Sequence, residues 1–210
     1  MGFARRLARQ LAEPTGMVGA LCGLAMDVVN RTPLRHAVDL LAPRDGETVL
    51  DAGCGTGAAS AEILRRAACH VVAVDRSETM IDRARSRFAG RRGAGAIELH
   101  RASIEDLPCR PGSMDAVLAL NILYFCDPEN GMIAALRAML RPGGRLVAYV
   151  TDRGTMEKWA FTRAGHHRLY DAAELEAALV GGGFDRSELR IESRAMAAGA
   201  QGLFALARAS

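Results

Sequence analysis

An apolar run that closes on an acid and then breaks into three alternating glycines constrains this chain more than any other feature. It reads Thr48-Val49-Leu50-Asp51-Ala52-Gly53-Cys54-Gly55-Thr56-Gly57, and the stretch from Thr56 to Ala68 then follows as helix. A short apolar run of this kind is a buried strand of a parallel sheet. Glycines at its end let backbone approach a ligand closely, and the helix start behind them offers unpaired N–H groups. Strand, glycine loop and helix together form a ligand cradle. Gly53, Gly55 and Ala58 fit G-x-G-x-x-G/A, a dinucleotide fingerprint. Asp51 argues for a different ligand. A carboxylate two residues before the first glycine opposes a pyrophosphate, because like charges at close range repel. It suits a ligand that carries cations.

The rest of the chain alternates strands with helices. His70 to Asp75 is a second short apolar run closed by an acid. An acid at a second strand end hydrogen-bonds the ribose hydroxyls of an adenosine. Ser77 is the better cap for the helix that runs to Phe88, which leaves Asp75 for the ligand. Ala96 to His100 alternates as a third strand, and Met114 to Asn121 is a fourth. Asp127-Pro128-Glu129 reads as a helix start with the acid as cap. Leu140 to Val150 reads as a helix stop, a turn through Gly143-Gly144, and a fifth strand. Asp171 and Glu174 form a capping box for a helix ending at Gly181-Gly182-Gly183. Ser187 to Ser193 and Gln201 to Arg208 are the last two strands.

Three segments now carry a resemblance. VLDAGCGTG resembles the first motif of the class I S-adenosylmethionine-dependent methyltransferases. LRPGGRLVAYV is similar to that family's post-motif, and Asn121-Ile122-Leu123-Tyr124-Phe125 to its Asn-x-x-Tyr/His-Phe run. The resemblance covers residues 32–210 and implies an α/β, three-layer Rossmann-like methyltransferase fold. Its sheet is seven-stranded and mostly parallel, with a C-terminal reversed hairpin strand. Residues 1–31 are expected to form an N-terminal helical cover. The implied cofactor is S-adenosyl-L-methionine, whose ammonium and sulfonium suit Asp51 and whose carboxylate would use loop N–H groups. Asp51, Gly53, Cys54, Gly55 and Gly57 would hold it, with Asp75 and Arg76 at the second strand. Met80 either joins the core or touches adenine. Ser103 or Glu105 would meet the adenine amine while Ile104 packs on the ring, unless Ser103 simply caps a short helix. Asn121 would lie beside the transferable methyl. Tyr124, Phe125, Trp159 and Tyr170 would line the substrate pocket. Where an acceptor must lose a proton, His166 or His167 is the candidate base.

Size and composition restrict the remaining readings. The 210 residues suit one domain with a cover. A charge of +3, from 27 basic and 24 acidic residues, is too balanced to imply a nucleic-acid partner. Five cysteines without a C-x-x-C pair imply a reducing compartment and no structural metal. No apolar run reaches the ~18 residues of a membrane span. The expectation is therefore a cytoplasmic monomer or homodimer acting on a small-molecule methyl acceptor. An NAD(P)-dependent oxidoreductase and a non-catalytic adenosyl-binding protein are the alternatives. The first lacks an evident hydride-transfer set, Lys158 being the only lysine in the chain.

Overall fold

The computed structural model describes residues 30–90, 95–159, 162 and 167–210. Five apolar runs become strands β1 (Thr48–Ala52), β2 (His70–Asp75), β3 (Ala96–Arg101), β4 (Met114–Leu120) and β5 (Leu140–Thr151). β6 (Leu189–Ala195) and β7 (Gln201–Arg208) complete one sheet in the order β3-β2-β1-β4-β5-β7-β6. β1 to β5 pair in parallel, and β7 alone runs against both β5 and β6. Seven strands, mostly parallel with a reversed hairpin strand, is the architecture the sequence implied.

Helices cover both faces because both faces are apolar. Val49, Val71, Leu118, Val147 and Phe204 share one core with Val38, Ile63 and Ile81, from α1 (Arg31–Leu41), α2 (Ala58–Arg66) and α3 (Glu78–Phe88). Leu50, Val72, Val117, Leu146 and Leu203 share the other with Leu136 and Leu175, from α4 (Gly131–Met139) and α6 (Ala172–Gly181). A single-turn α5 (Arg153–Met156) follows β5. The C-terminus of α1 is tied to the sheet by Arg145, buried in β5. Its guanidinium donates to Glu47 at 2.7 and 2.9 Å and to the carbonyls of Leu41 and Ala42. That fork satisfies helix-end carbonyls which have no partner within the helix.

The chain runs outward from β1 through β2 to β3, then returns to β4 on the other side of β1. Strand order reverses between β1 and β4, and a parallel sheet opens its ligand crevice beyond the carboxyl ends at such a point. The glycine loop after β1 and the turn after β4 therefore face the same crevice.

Several expectations are corrected. α2 starts at Ala58, because Gly57 before it is left-handed (φ +78°) and cannot be its first turn. β4 ends at Leu120, and Asn121 leaves it in a left-handed conformation (φ +58°). Asp127 does not sit next to the first turn of α4. Asn130 (φ +63°) is the residue before Gly131, and Asp127 reaches back to accept from the amides of Gly131 and Met132. Leu140 already pairs with Met114, so Pro142-Gly143-Gly144 forms an irregularity inside β5 rather than a separate turn before it. Ser77 does cap α3, and Asp171 with Glu174 does form the capping box of α6. Of the expected cover, residues 1–29 lie outside the described residues. Arg31 belongs to α1, which packs on β4, β5 and β7. Among the described residues no helix is long and apolar enough to cross a membrane.

Candidate active site

The cradle is built from backbone, and its three glycines meet three different surroundings. A Cβ at Gly53 (φ +70°) would come 2.1 Å from Cγ2 of Ile122, which lies against it from the turn after β4. A Cβ at Gly57 would come 2.8 Å from the Phe88 ring on α3. At Gly55 (φ +54°) a Cβ would meet nothing within 4 Å. Gly53 and Gly57 are close approaches inside the protein. Gly55 alone borders open space, and that space is where a ligand can lie over the loop.

Three of the loop's amides are already paired. Cys54 N–H donates to the Val74 carbonyl at 2.9 Å, Gly57 N–H to the Cys54 carbonyl at 2.9 Å, and Gly55 N–H to Asp75 Oδ2 at 2.9 Å. Asp75 Oδ1 accepts from Ser77 N–H at 2.8 Å. A phosphate cradle needs several converging free amides. Here a carboxylate takes the central one, so the loop presents negative rather than positive character. A ligand's carboxylate, expected to use loop N–H groups, finds those of Cys54, Gly55 and Gly57 already paired. Each Asp75 oxygen keeps one lone pair, and the half-buried side chain can still accept from a pair of ligand hydroxyls.

Asp51 is placed differently from the sequence reading. It is 1 % exposed, under the loop, and accepts from the Ser60 hydroxyl of α2 at 2.5 Å. It does not itself front the crevice. Burial pushes its carboxyl up to about 6; the Ser60 hydrogen bonds oppose that, and the charge of Asp75 adds to it. Asp75 is raised by burial, against the pull of its two backbone N–H bonds. Two acids thus lie at the ends of adjacent strands β1 and β2, one beneath the other's loop. Cys54 is buried, its thiol turned to the Gly55 carbonyl at 3.8 Å. Arg76 is exposed.

Met80 is 3 % exposed and resolves toward the core. Ser103 exchanges hydrogen bonds with Asp106, donating from Oγ at 2.7 Å and accepting the Asp106 amide at 3.1 Å. It closes a turn, and no short helix follows it for Ser103 to cap. Ile104 is buried in the core beside Leu107, and Glu105 is exposed.

On the other side of the crevice, Asn121 and Phe125 are half-buried and Tyr124 is buried. Tyr170 is fully buried and donates its hydroxyl to the Leu123 carbonyl at 2.8 Å. It is therefore a core residue and not a pocket wall. Trp159 is 37 % exposed, on the surface. His167 lies half-buried with its ring 5.4 Å from Phe125, and the next residue, Arg168, donates its backbone N–H to the Tyr124 carbonyl. This brings His167 to the turn that follows β4. His166 lies outside the described residues. Among the described residues no group of three His, Cys, Asp or Glu side chains could hold a metal ion.

Sequence reasoning missed Ser60, Ile122, Thr151 and Asn30. The first seats Asp51 and the second packs on Gly53. Thr151 and Asn30 hydrogen-bond to Tyr124 and Asn121. Ser60 had a faint signal, a small polar residue on the buried face of the helix after the loop; the others had none.

Comparison with known proteins adds to this geometry. Residues 49–144 match the methyltransferase domain family. The chain is 40 % identical over 108 residues to a demethylmenaquinone methyltransferase of Clavibacter sepedonicus, covering 51 % of this chain and 42 % of that one. It is 36 % identical over 129 residues to a ubiquinone biosynthesis O-methyltransferase of Methylocella silvestris, covering 60 % and 49 %. It spans about half the length of these curated relatives. A similar fold occurs in geranyl diphosphate C-methyltransferase from Streptomyces coelicolor, solved with S-adenosyl-L-homocysteine. There the TM-score is 0.69 at 17 % identity, covering 86 % of this chain and 79 % of that one.

Proposed function

The chain belongs to the class I S-adenosylmethionine-dependent methyltransferases, and from that premise we propose that it methylates an O, N or C nucleophile of a small molecule. The observation that carries the proposal is the chemistry of the cradle. A carboxylate occupies the central loop amide, a second is buried beneath it, and open space begins at Gly55. Such a site disfavours a diphosphate and suits a cationic sulfonium with an adenosine. The residues present therefore fit S-adenosyl-L-methionine. The glycine spacing and Asp75 are shared with the nicotinamide reading, but the acids at the loop oppose its diphosphate.

In this reading Asp75 accepts the ribose hydroxyls, Gly55 gives the cofactor room, and Asn121 borders the transferred group. Bound cofactor supplies a methyl group on a positively charged sulfur, and the C–S electron pair stays on sulfur as the new bond to the nucleophile forms. The protein's task is then mainly alignment, which is worth on the order of 7–11 kcal/mol. Phe125 and Tyr124 wall the acceptor side. His167, beside Phe125, takes the acceptor's proton where there is one to lose. Ser103, Ile104 and Glu105 remain the segment nearest the adenine in this reading, with Arg76 at its rim.

Calorimetry with S-adenosylmethionine and with NADH tests the cofactor. Mass spectrometry of a metabolite extract incubated with enzyme tests the reaction, through a product heavier by one methyl group and matching S-adenosylhomocysteine release. Binding of NADH in preference to S-adenosylmethionine would end the proposal. In His167→Ala, turnover of the product-forming acceptor should fall, and unchanged turnover removes the base.

A further inference from the structure

Beyond the cradle, one chain of hydrogen bonds crosses the carboxyl ends of β5 and β4 and reaches α1. Thr151 N–H donates to the Tyr124 hydroxyl at 2.5 Å. Tyr124 O–H donates to Asn121 Oδ1 at 3.3 Å. Asn121 Nδ2 donates to Asn30 Oδ1 at 3.1 Å. Neither the glycine loop nor Asp75 takes part.

The direction of this chain follows from its three links taken together. A backbone N–H can only donate, and the hydroxyl that accepts it has a single proton to send onward. That proton goes to Asn121, whose carbonyl is thereby used and whose NH2 must point the other way. Asn30 then meets an N–H and must turn its own carbonyl inward, leaving its NH2 on the outer side. The orientation of each amide is the one that its partners along the chain satisfy, Tyr124 O–H for the Asn121 carbonyl and Asn121 Nδ2 for the Asn30 carbonyl. Tyr124 is buried, and burial keeps its phenol protonated, so the donor sense does not reverse. The Asn121 backbone is left-handed and its N–H is held by the Tyr149 carbonyl at 2.9 Å, which anchors the middle of the chain.

Among the described residues the Asn30 Nδ2 group and the second Asn121 N–H donate to nothing else. Both side chains are half-buried at the crevice edge. The end of the relay is thus a small cluster of N–H donors on half-buried side chains beside the turn that follows β4.

We infer that the Asn30–Asn121 amide pair is a specificity element for the methyl acceptor, and that it selects an acceptor bearing an oxygen with free lone pairs: a carbonyl, carboxylate or phenolate. This rests on the methyltransferase reading. An ammonium in the same position would meet the two N–H groups head-on and would recover less of its lost hydration than an oxygen that accepts from both. Asn30 is then a binding residue, and Tyr124 and Thr151 are positioning residues that act through Asn121.

The test uses the full chain saturated with S-adenosylhomocysteine, titrated with benzoate or with benzylamine and followed by the side-chain amide signals of Asn30 and Asn121 in NMR. Wild-type protein should bind benzoate at least fivefold more tightly than benzylamine, with both amide pairs shifting. Asn30→Asp keeps an inward oxygen for Asn121 but replaces the outward NH2 with a carboxylate oxygen. It should invert the preference while leaving S-adenosylhomocysteine affinity within twofold of wild type. Asn30→Ala should bring the benzoate-to-benzylamine ratio within twofold of unity. Equal binding of the two probes by wild type, or an unchanged ratio in the variants, overturns the inference. The wild-type ratio stands alone as a test should a variant fail to fold. Failure of wild type to bind S-adenosylhomocysteine at all would instead overturn the methyltransferase reading on which it rests.

Discussion

Over the ends of β1 and β2 the crevice is made of backbone held by backbone carbonyls and by one carboxylate, Asp75. Gly55 is tied to Asp75, Cys54 to Val74 and Gly57 to Cys54, all through main-chain amides and within two neighbouring strand ends. Over the ends of β4 and β5 it is made of three side chains, at 30, 121 and 124, tied to the backbone amide of Thr151. The first region has little freedom to vary without losing the loop. The second can exchange one side chain and keep its fold. A donor that is always the same suits the first construction, and an acceptor that differs from enzyme to enzyme suits the second.

Gly53→Ala should be the most damaging change, because Gly53 is where the two regions touch. Its new Cβ would lie 2.1 Å from Ile122 Cγ2 at a φ of +70°. Overpacking and left-handed strain together cost about 2–5 kcal/mol. Gly55→Ala shares the strain but meets no protein atom within 4 Å. It should lose only about 1–2 kcal/mol of stability and yet weaken S-adenosylmethionine binding by an order of magnitude or more. Chemical unfolding and calorimetry on both variants check this. If Gly55→Ala binds as wild type does, the open space beside it is not the cofactor's.

Asp51→Asn separates the buried acid from the exposed one. The folded carboxyl titrates near 6, above its ordinary 3.8, because burial disfavours the charge. The fold therefore prefers the protonated acid. That contribution is complete below about pH 3.8 and disappears as pH rises through about 6. At about 1.4 kcal/mol per unit the swing is up to about 3 kcal/mol. Wild type should lose up to this much between pH 4 and 7 from this group, and Asp51→Asn should flatten that part of the curve. Urea unfolding at pH 4.5, 5.5 and 7 measures the difference; parallel curves for the two proteins would show that Asp51 does not titrate there.

How much of this was readable beforehand follows the same divide. The glycine loop, Asp75, the Ser77 cap and the Asp171–Glu174 box were legible because each is set by residues a few positions apart. Asp127 was legible as a helix-start acid but misplaced, since Asn130 inserts a left-handed residue between it and α4. Tyr170 read as a pocket aromatic because nothing in its neighbourhood announces that its hydroxyl will find the Leu123 carbonyl, 47 positions away in sequence. Asn30 and Thr151 carried no local signal at all. Their roles exist only once β4 and β5 lie side by side and α1 crosses them. Asp51 was recognised as special for its acidity in a buried strand, but periodicity could not say that Ser60 would close over it.

Asp75→Ala should act on the first region alone. It removes the acceptor for two amides and, in the proposed reading, for the ribose hydroxyls. A lost charged hydrogen bond is worth about 1.5–3 kcal/mol, or about 10- to 150-fold in affinity. Calorimetry should find S-adenosylmethionine weakened by that factor, and an unchanged dissociation constant would take Asp75 out of the site.

Tyr124→Phe should act on the second region alone, with the smallest effect on stability. It deletes the hydroxyl that accepts Thr151 N–H and donates to Asn121, and leaves the ring in the core. The loss of one neutral hydrogen-bonded link costs about 1–2 kcal/mol. Cofactor affinity should stay within about twofold of wild type, because no cradle residue bonds to Tyr124. The Asn121 amide, freed of its orienting partner, should sample both flips, and its two NH2 proton signals should move toward each other in NMR. If cofactor affinity falls as far as in Asp75→Ala, the two sides of the crevice are energetically one site, and the division between a fixed donor side and an adaptable acceptor side is wrong.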